Sequence, residues 1–201
     1  MENQYFTAAI TGGIINLITL FWLYLLYKNN KKQYPEISFW LLGVFLQLLG
    51  ILLLFTNVLA WPVLISVVTA NILLLVGSSL IMIASFRFIG KPIKSRYVWI
   101  IIGMLIALTS YYSIVQNVYH IRLFIPSTGL FAHTVLSSLA MMHYANHSQR
   151  KTLLPMSIPT VLYGGIVLIR IVYAVIHPPI NQTAFLEGNT FEFLIMMLLI
   201  V

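Results

Sequence analysis

The sequence predicts an all-α polytopic transmembrane bundle of six full helices and the start of a seventh, with the N-terminus outside. Three observations predict it. Of 201 residues, 60% are hydrophobic and only 7% charged, whereas soluble domains carry about 25% charged residues and could not cover a surface with so few. Apolar runs long enough for a ~30 Å bilayer core, about 20 residues each, recur along the whole chain. Nine of the eleven basic residues fall in alternate connections between those runs. The mean hydropathy of +0.96 agrees. A soluble enzyme, a disordered tail and a nucleic-acid module are excluded, and 1–201 reads as one membrane domain.

The first run spans 7–27. Its leader, Met1 to Thr7, lacks a positive region, and Lys28, Lys31 and Lys32 follow the run instead. That order describes an N-out anchor rather than a cleaved signal peptide. The second run, 37–59, contains Gly43 and Gly50 and ends in an Ala60-Trp61-Pro62 turn. The third, 63–86, carries Asn71, Ser78 and Ser85 at a spacing of seven, with Gly77 and Ser79 beside them. Small and polar residues on one face let membrane helices approach closely and hydrogen-bond across the gap. Asn71, Gly77 and Ser78 are therefore read as helix-packing positions, with ligand contact as the other role open to them.

The fourth run, 97–117, has Tyr111, Tyr112, Ser113 and Gln116 near its outer end. The fifth, 123–146, is the most polar, with Pro126, Ser127, Thr128, His133, Thr134, Ser137 and Ser138. Pro126 interrupts the hydrogen-bond ladder, and nearby hydroxyls can satisfy the freed carbonyls. His133 falls roughly 16 Å from Arg122 along the axis, near the midplane. A neutral, hydrogen-bonded core histidine and a proton relay or sensor are the two roles open to it.

The sixth run, 153–176, places Tyr163, Arg170 and His177 seven residues apart on one face, with Tyr173 one turn from Arg170 and Gly164-Gly165 as packing residues. Arg170 lies about 10 Å below the outer end, where a structural ion pair with Glu192, snorkelling to the interface and a ligand anchor are all open. The seventh run starts at 191 and reaches Val201 after only ~16 Å of helix, so the natural chain is expected to continue inward.

Lys28, Lys31, Lys32, Arg87, Lys91, Lys94, Arg96, Arg150 and Lys151 make up nine of the eleven basic residues and occupy alternate connections. Because Lys and Arg accumulate in short cytoplasmic loops, that side is inside. Arg122 and Arg170 remain on the outer half, with Glu2, Glu187 and Glu192. The net charge of +7 thus marks topology and not a nucleic-acid footprint.

Several chemistries are set aside. A retinal Schiff base needs an intramembrane lysine, and all six lysines lie in the cationic connections. A bis-histidine haem site needs two deep histidines, and only His133 qualifies. Met142-His143-Tyr144 matches a metal-sensing motif only up to Ala145 and has no second copy. Asn181-Gln182-Thr183 fits a glycosylation sequon. No cysteine, catalytic triad, carboxylate pair or metal-ligand cluster is present, so no catalytic residue, metal or cofactor is assigned.

A family pattern is visible in Ser38-Phe-Trp-Leu-Leu-Gly43, Leu48-Leu-Gly50 and the Trp61-Pro62 turn. It continues through Ala70-Asn71 to Gly77, Phe86-Arg-Phe-Ile-Gly90, Arg122 and Ser127. This resembles the N-terminal seven-helix membrane sensor region of bacterial signalling proteins, chiefly diguanylate cyclases with a GGDEF output domain. Thr56-Asn57 departs from it where many relatives carry an arginine. The resemblance implies a sensory input module in the bacterial cytoplasmic membrane. Helix seven would pass an extracytoplasmic or membrane-borne signal to a cytoplasmic, dimeric output domain. Arg170, Arg122, Tyr112, Tyr163, His133 and Glu192 are the candidate ligand or switch residues. Cationic anchors would suit a small anionic or lipid-like ligand. The alternative is a small seven-helix transporter, which would show internal repeats and helices broken at matching positions. The residues after Val201 separate the two: an output domain favours the sensor, a stop favours transport.

Overall fold

A computed structural model describes residues 14, 17–29, 31–32, 34–56, 62, 64–116, 118–146, 161, 164–165, 168 and 171–172. All regular structure among them is helical: α1 (17–29), α2 (Ile37–Thr56), a π-helical turn (Leu64–Thr69) running into α3 (Ala70–Phe88), α4 (Ser95–Ile114) and α5 (Tyr119–Tyr144). Among the described residues, four segments are long and apolar enough to cross a membrane: Ile37–Leu54, Leu64–Phe88, Ser95–Ile114 and Phe124–Tyr144. The expected sixth and seventh spans, 153–176 and from 191 onward, lie outside the described residues apart from the positions named above.

α3 is the centre of the arrangement. α2 packs along one side of it, α5 and α4 along the other, and α4 also packs on α5. Buried positions run down α3 from Ala70 to Ser85. On α4, only Val98, Ile102, Thr109 and Ser113 are buried, a single stripe at helical spacing. The rest of α4 turns Tyr97, Ile101, Met104 and Leu108 outward. Large apolar groups on an outer face have hydrocarbon as their natural solvent.

Glycine sets the distance between α2 and α3. A Cβ on Gly43 would lie 2.7 Å from the Gly77 carbonyl oxygen, and one on Gly77 would lie 2.6 Å from that of Gly43. Each glycine therefore presents a hydrogen to the other's carbonyl, a contact only the smallest residue permits. Gly50 repeats the approach against the Ala70 carbonyl, at 2.9 Å.

The entry to α3 is wider than an α-helix. The Ile65 and Ser66 amides donate to the Pro62 carbonyl at 2.9 and 3.0 Å. A π-helical turn shifts the ladder, and polar side chains bond the carbonyls it loosens. Thr69 Oγ1 donates to the Leu64 carbonyl at 2.9 Å, and Asn71 Nδ2 to the Val67 carbonyl at 2.9 Å. The exit is a glycine stop. Gly90 adopts φ 73°, its amide donates to the Arg87 carbonyl, and the Lys91 amide donates to the Phe86 carbonyl. This is the paired closure that ends a helix on a left-handed residue. The helix thus reaches Phe88, two residues past the expected boundary.

Other boundaries also moved. α4 covers Ser95–Ile114 rather than 97–117, while α2 is described as far as Thr56 and the last expected positions, 57–59, lie outside the described residues. α5 starts at Tyr119, so Arg122 lies inside its first turn instead of at the end of a connection. A proline deprives one carbonyl of its donor, yet helix persists on both sides of Pro126, as neighbouring helices and hydroxyls permit in membranes.

One end of the bundle gathers the cations. Arg87 lies 4.6 Å above the Phe39 ring centroid. Phe88 contacts the rings of Tyr34 and Trp40 at 5.5 and 5.4 Å. Ile37, Trp40, Ala84, Ile89, Ala140, Met141 and Ala145 form one core cluster there. The start of α2 and the ends of α3 and α5 therefore meet at the same level. The two connections at this end, with the helix turns that flank them, hold Lys28, Lys31, Lys32, Lys91, Lys94 and Arg96.

Candidate functional site

The described residues place one ionisable side chain deep between helices. His133, in the middle of α5, is 6% exposed. Its Nδ1 lies 3.0 Å from Ser78 Oγ and 3.3 Å from Ser79 Oγ on α3. Both serine hydroxyls also reach the Leu75 carbonyl, at 2.9 and 2.6 Å. A hydroxyl has one hydrogen to give, so each serine stands between the imidazole and the carbonyl of its own helix, and the direction of the Nδ1 contacts follows the tautomer of the ring.

The local sequence builds this joint. Ser78 and Ser79 follow Leu75 by three and four residues, the two spacings from which a side chain folds back onto a helix carbonyl. Gly129 sits one turn before His133 on the same face. The space a Cβ would take there is filled by Leu75 Cδ2 at 2.7 Å and Leu105 Cδ1 at 2.8 Å. Gly129 is the notch through which α3 and α4 side chains reach α5 beside the imidazole. On the next position of α5, Thr134 Cγ2 lies 3.3 Å from where a Cβ on Gly164 would stand.

The other hydroxyls of α5 mostly serve their own helix. Thr134, Ser137 and Ser138 donate to the carbonyls of Leu130, His133 and Thr134 at 2.7, 2.7 and 2.9 Å. A second α3 contact lies nearer the cationic end, where Trp40 Nε1 donates to Ser85 Oγ at 3.3 Å. Toward the opposite end of α4, Ser113 is buried and its hydroxyl has no hydrogen-bond partner among the described residues. Thr109, one turn away, donates to the Leu105 carbonyl.

The candidate residues are distributed unevenly. His133 and Ser78 meet directly. Gly77 faces α2, and the Asn71 amide bonds back within its own helix. Tyr112 stands edge-on to Tyr111, with ring centroids 5.3 Å apart, and Gln116 Nε2 donates to the Tyr111 hydroxyl at 3.2 Å. This pair is at the end of α4 opposite the cationic connection, away from His133. Arg122 is placed in α5 by its backbone only. Tyr163, Arg170 and Glu192 lie outside the described residues. Sequence reasoning missed Ser79 as a partner of His133, Gly129 as its notch and Trp40 as the partner of Ser85. The four-residue spacing of Gly129 and His133 was the available signal for the second.

Chemically, this arrangement is a hydrogen-bonded joint between α3 and α5. No three His, Asp or Glu side chains gather as a metal site among the described residues. Comparison with known proteins adds no assignment: no protein-family model, curated protein or solved structure matches the chain.

Proposed function

We propose that the chain is a transmembrane sensory input module, which receives an extracytoplasmic or membrane-borne signal and passes it to a cytoplasmic output domain through helix seven. The observation that supports this reading best is the buried His133–Ser78–Ser79 joint between α3 and α5. A signal crosses a membrane protein when helices exchange between two packed arrangements of similar energy. A polar joint in an apolar seam favours discrete alternatives, because in hydrocarbon its groups must find a partner in either arrangement. The α2–α3 side, held by glycine backbone contact, supplies the fixed frame against which α5 would shift. A diguanylate cyclase is the output we favour, from the sequence resemblance.

Residues 1–201 joined to a diguanylate-cyclase reporter test this. Output should depend on the membrane region, and Ser78→Ala or His133→Gln should change the basal cyclic dinucleotide level about threefold or more at equal membrane abundance. A population change of that size needs under about 1 kcal/mol between the arrangements. Identical output from the intact and substituted regions would remove the joint from the signalling path.

A further inference from the structure

An open groove of about 570 Å³ lies between α1 and α2. Its walls are Phe21, Tyr24 and Tyr27 from α1 and Leu42, Phe45 and Ser38 from α2. Phe21 is 61% exposed, and Tyr24, Leu42 and Phe45 are close to half exposed, so protein does not fill the groove among the described residues. From Tyr27 to Leu20 on one wall, and from Ser38 to Phe45 on the other, it extends for two turns, roughly 10 Å. Both Tyr27 and Ser38 are at the cationic end, where the α1–α2 connection begins and ends.

That mouth is basic. Lys28, Lys31 and Lys32 are all exposed there, and Glu36, just before α2, is the acid of the same connection. An apolar slot closed by aromatic rings, with cations at its open end, complements an amphiphile with a hydrocarbon tail and an anionic head. Tyrosines suit the level between the two, because the ring sits in hydrocarbon and the hydroxyl stays near polar groups. Basic residues beside a transmembrane helix attract anionic headgroups. A generic lipid annulus needs neither the concavity nor this coincidence of charge.

We infer that the α1–α2 groove is a binding site for an anionic phospholipid, with an acyl chain against Phe21, Tyr24 and Phe45 and its phosphate at Lys28, Lys31 and Lys32. The inference goes beyond the sensory reading and needs only that the helices cross a membrane. It makes the first hairpin responsive to the charge of the leaflet.

The test is native mass spectrometry of the purified full chain, titrated with phosphatidylglycerol or phosphatidylcholine of the same acyl length. The intact protein should retain the first phosphatidylglycerol at least fivefold better. Replacing Lys28, Lys31 and Lys32 together by glutamine should abolish that preference. Replacing Lys91, Lys94 and Arg96 by glutamine should leave it in place. Leu42→Trp, which fills the groove, should weaken retention of both lipids. The substituted lysines are all exposed, at the end of α1 and on the connection after it, so they probe binding without touching the core. Equal retention of the two lipids by intact protein would overturn the inference. So would a preference that survives the α1–α2 lysine substitutions, or one lost equally in the α3–α4 set.

Discussion

Replacing Gly77 by alanine should destabilise the bundle by about 2 kcal/mol, and by valine about 3 kcal/mol or more, within the range that overpacking costs in tight interiors. The obstruction is backbone. A Cβ on Gly77 meets the Gly43 carbonyl at 2.6 Å and Gln47 Cγ at 2.9 Å, and moving a carbonyl means moving α2. Gly43→Ala should cost a similar amount, because its Cβ meets the Gly77 carbonyl and Ile81 Cγ1, both at 2.7 Å. The double variant should lose clearly less than the sum, since either substitution alone already separates the same two helices. Gly103 is the control. Open space surrounds its Cβ position on α4, so Gly103→Ala should be neutral or stabilising by about 0.5 kcal/mol through helix propensity. Unfolding of the purified protein in detergent, followed by circular dichroism, measures all five variants. Equal losses at Gly77 and Gly103 would mean that α2 and α3 are not in backbone contact.

The second large effect is expected at His133. His133→Ala removes a buried ring and its hydrogen bonds, and should cost about 2–3 kcal/mol. Ser78→Ala should cost about 0.5–1 kcal/mol, because Ser79 still holds Nδ1. The informative quantity is the coupling between them. Side-chain hydrogen bonds between membrane helices average roughly 0.6 kcal/mol and reach about 1.7 kcal/mol. A Ser78/His133 double-mutant cycle should therefore return about 1 kcal/mol, rising when Ser79 is also replaced by alanine. Strict additivity would show that the α3–α5 contact contributes nothing to the packed state. Because the protein contains no cysteine, cross-linking pairs introduced on α3 and α5 can follow the same contact without background.

Much of the helical architecture was legible because bilayer thickness imposes it. Four apolar runs of bilayer length appear, among the described residues, as four helices long and apolar enough to span, with boundaries displaced by a few residues. The displacements have local causes. Gly90 rather than Arg87 supplies the left-handed stop, and nothing in Tyr119-His120-Ile121 prevents α5 from starting before Pro126. The π-helical entry to α3 was not legible, since Leu64 to Thr69 is an ordinary apolar stretch and the shift in its ladder is set by packing on α2 and α4. The site was half legible. Ser78 and Gly77 were recognised from their spacing on α3, and His133 from its depth on α5. That Ser78 and His133 face each other depends on which helices are neighbours and at what axial register, which no single-helix periodicity encodes. The same is true of the reciprocal Gly43–Gly77 contact and of Trp40 with Ser85. Ser79 was passed over because it lies off the seven-residue stripe. Its role comes from sharing the Leu75 carbonyl with Ser78.

The central claim is that α3, α4 and α5 cross a membrane with the cationic α3–α4 turn inward, the side toward which a signal would be passed. Single cysteines at Lys91 and Gln116, introduced one at a time into the cysteine-free chain, test it most directly with a membrane-impermeant maleimide on intact cells. Both positions are exposed, so each is reactive wherever the reagent reaches. The account predicts labelling of Gln116→Cys from outside, and labelling of Lys91→Cys only after the membrane is permeabilised. Labelling of Lys91→Cys on intact cells, or of both positions from the same side, would contradict it.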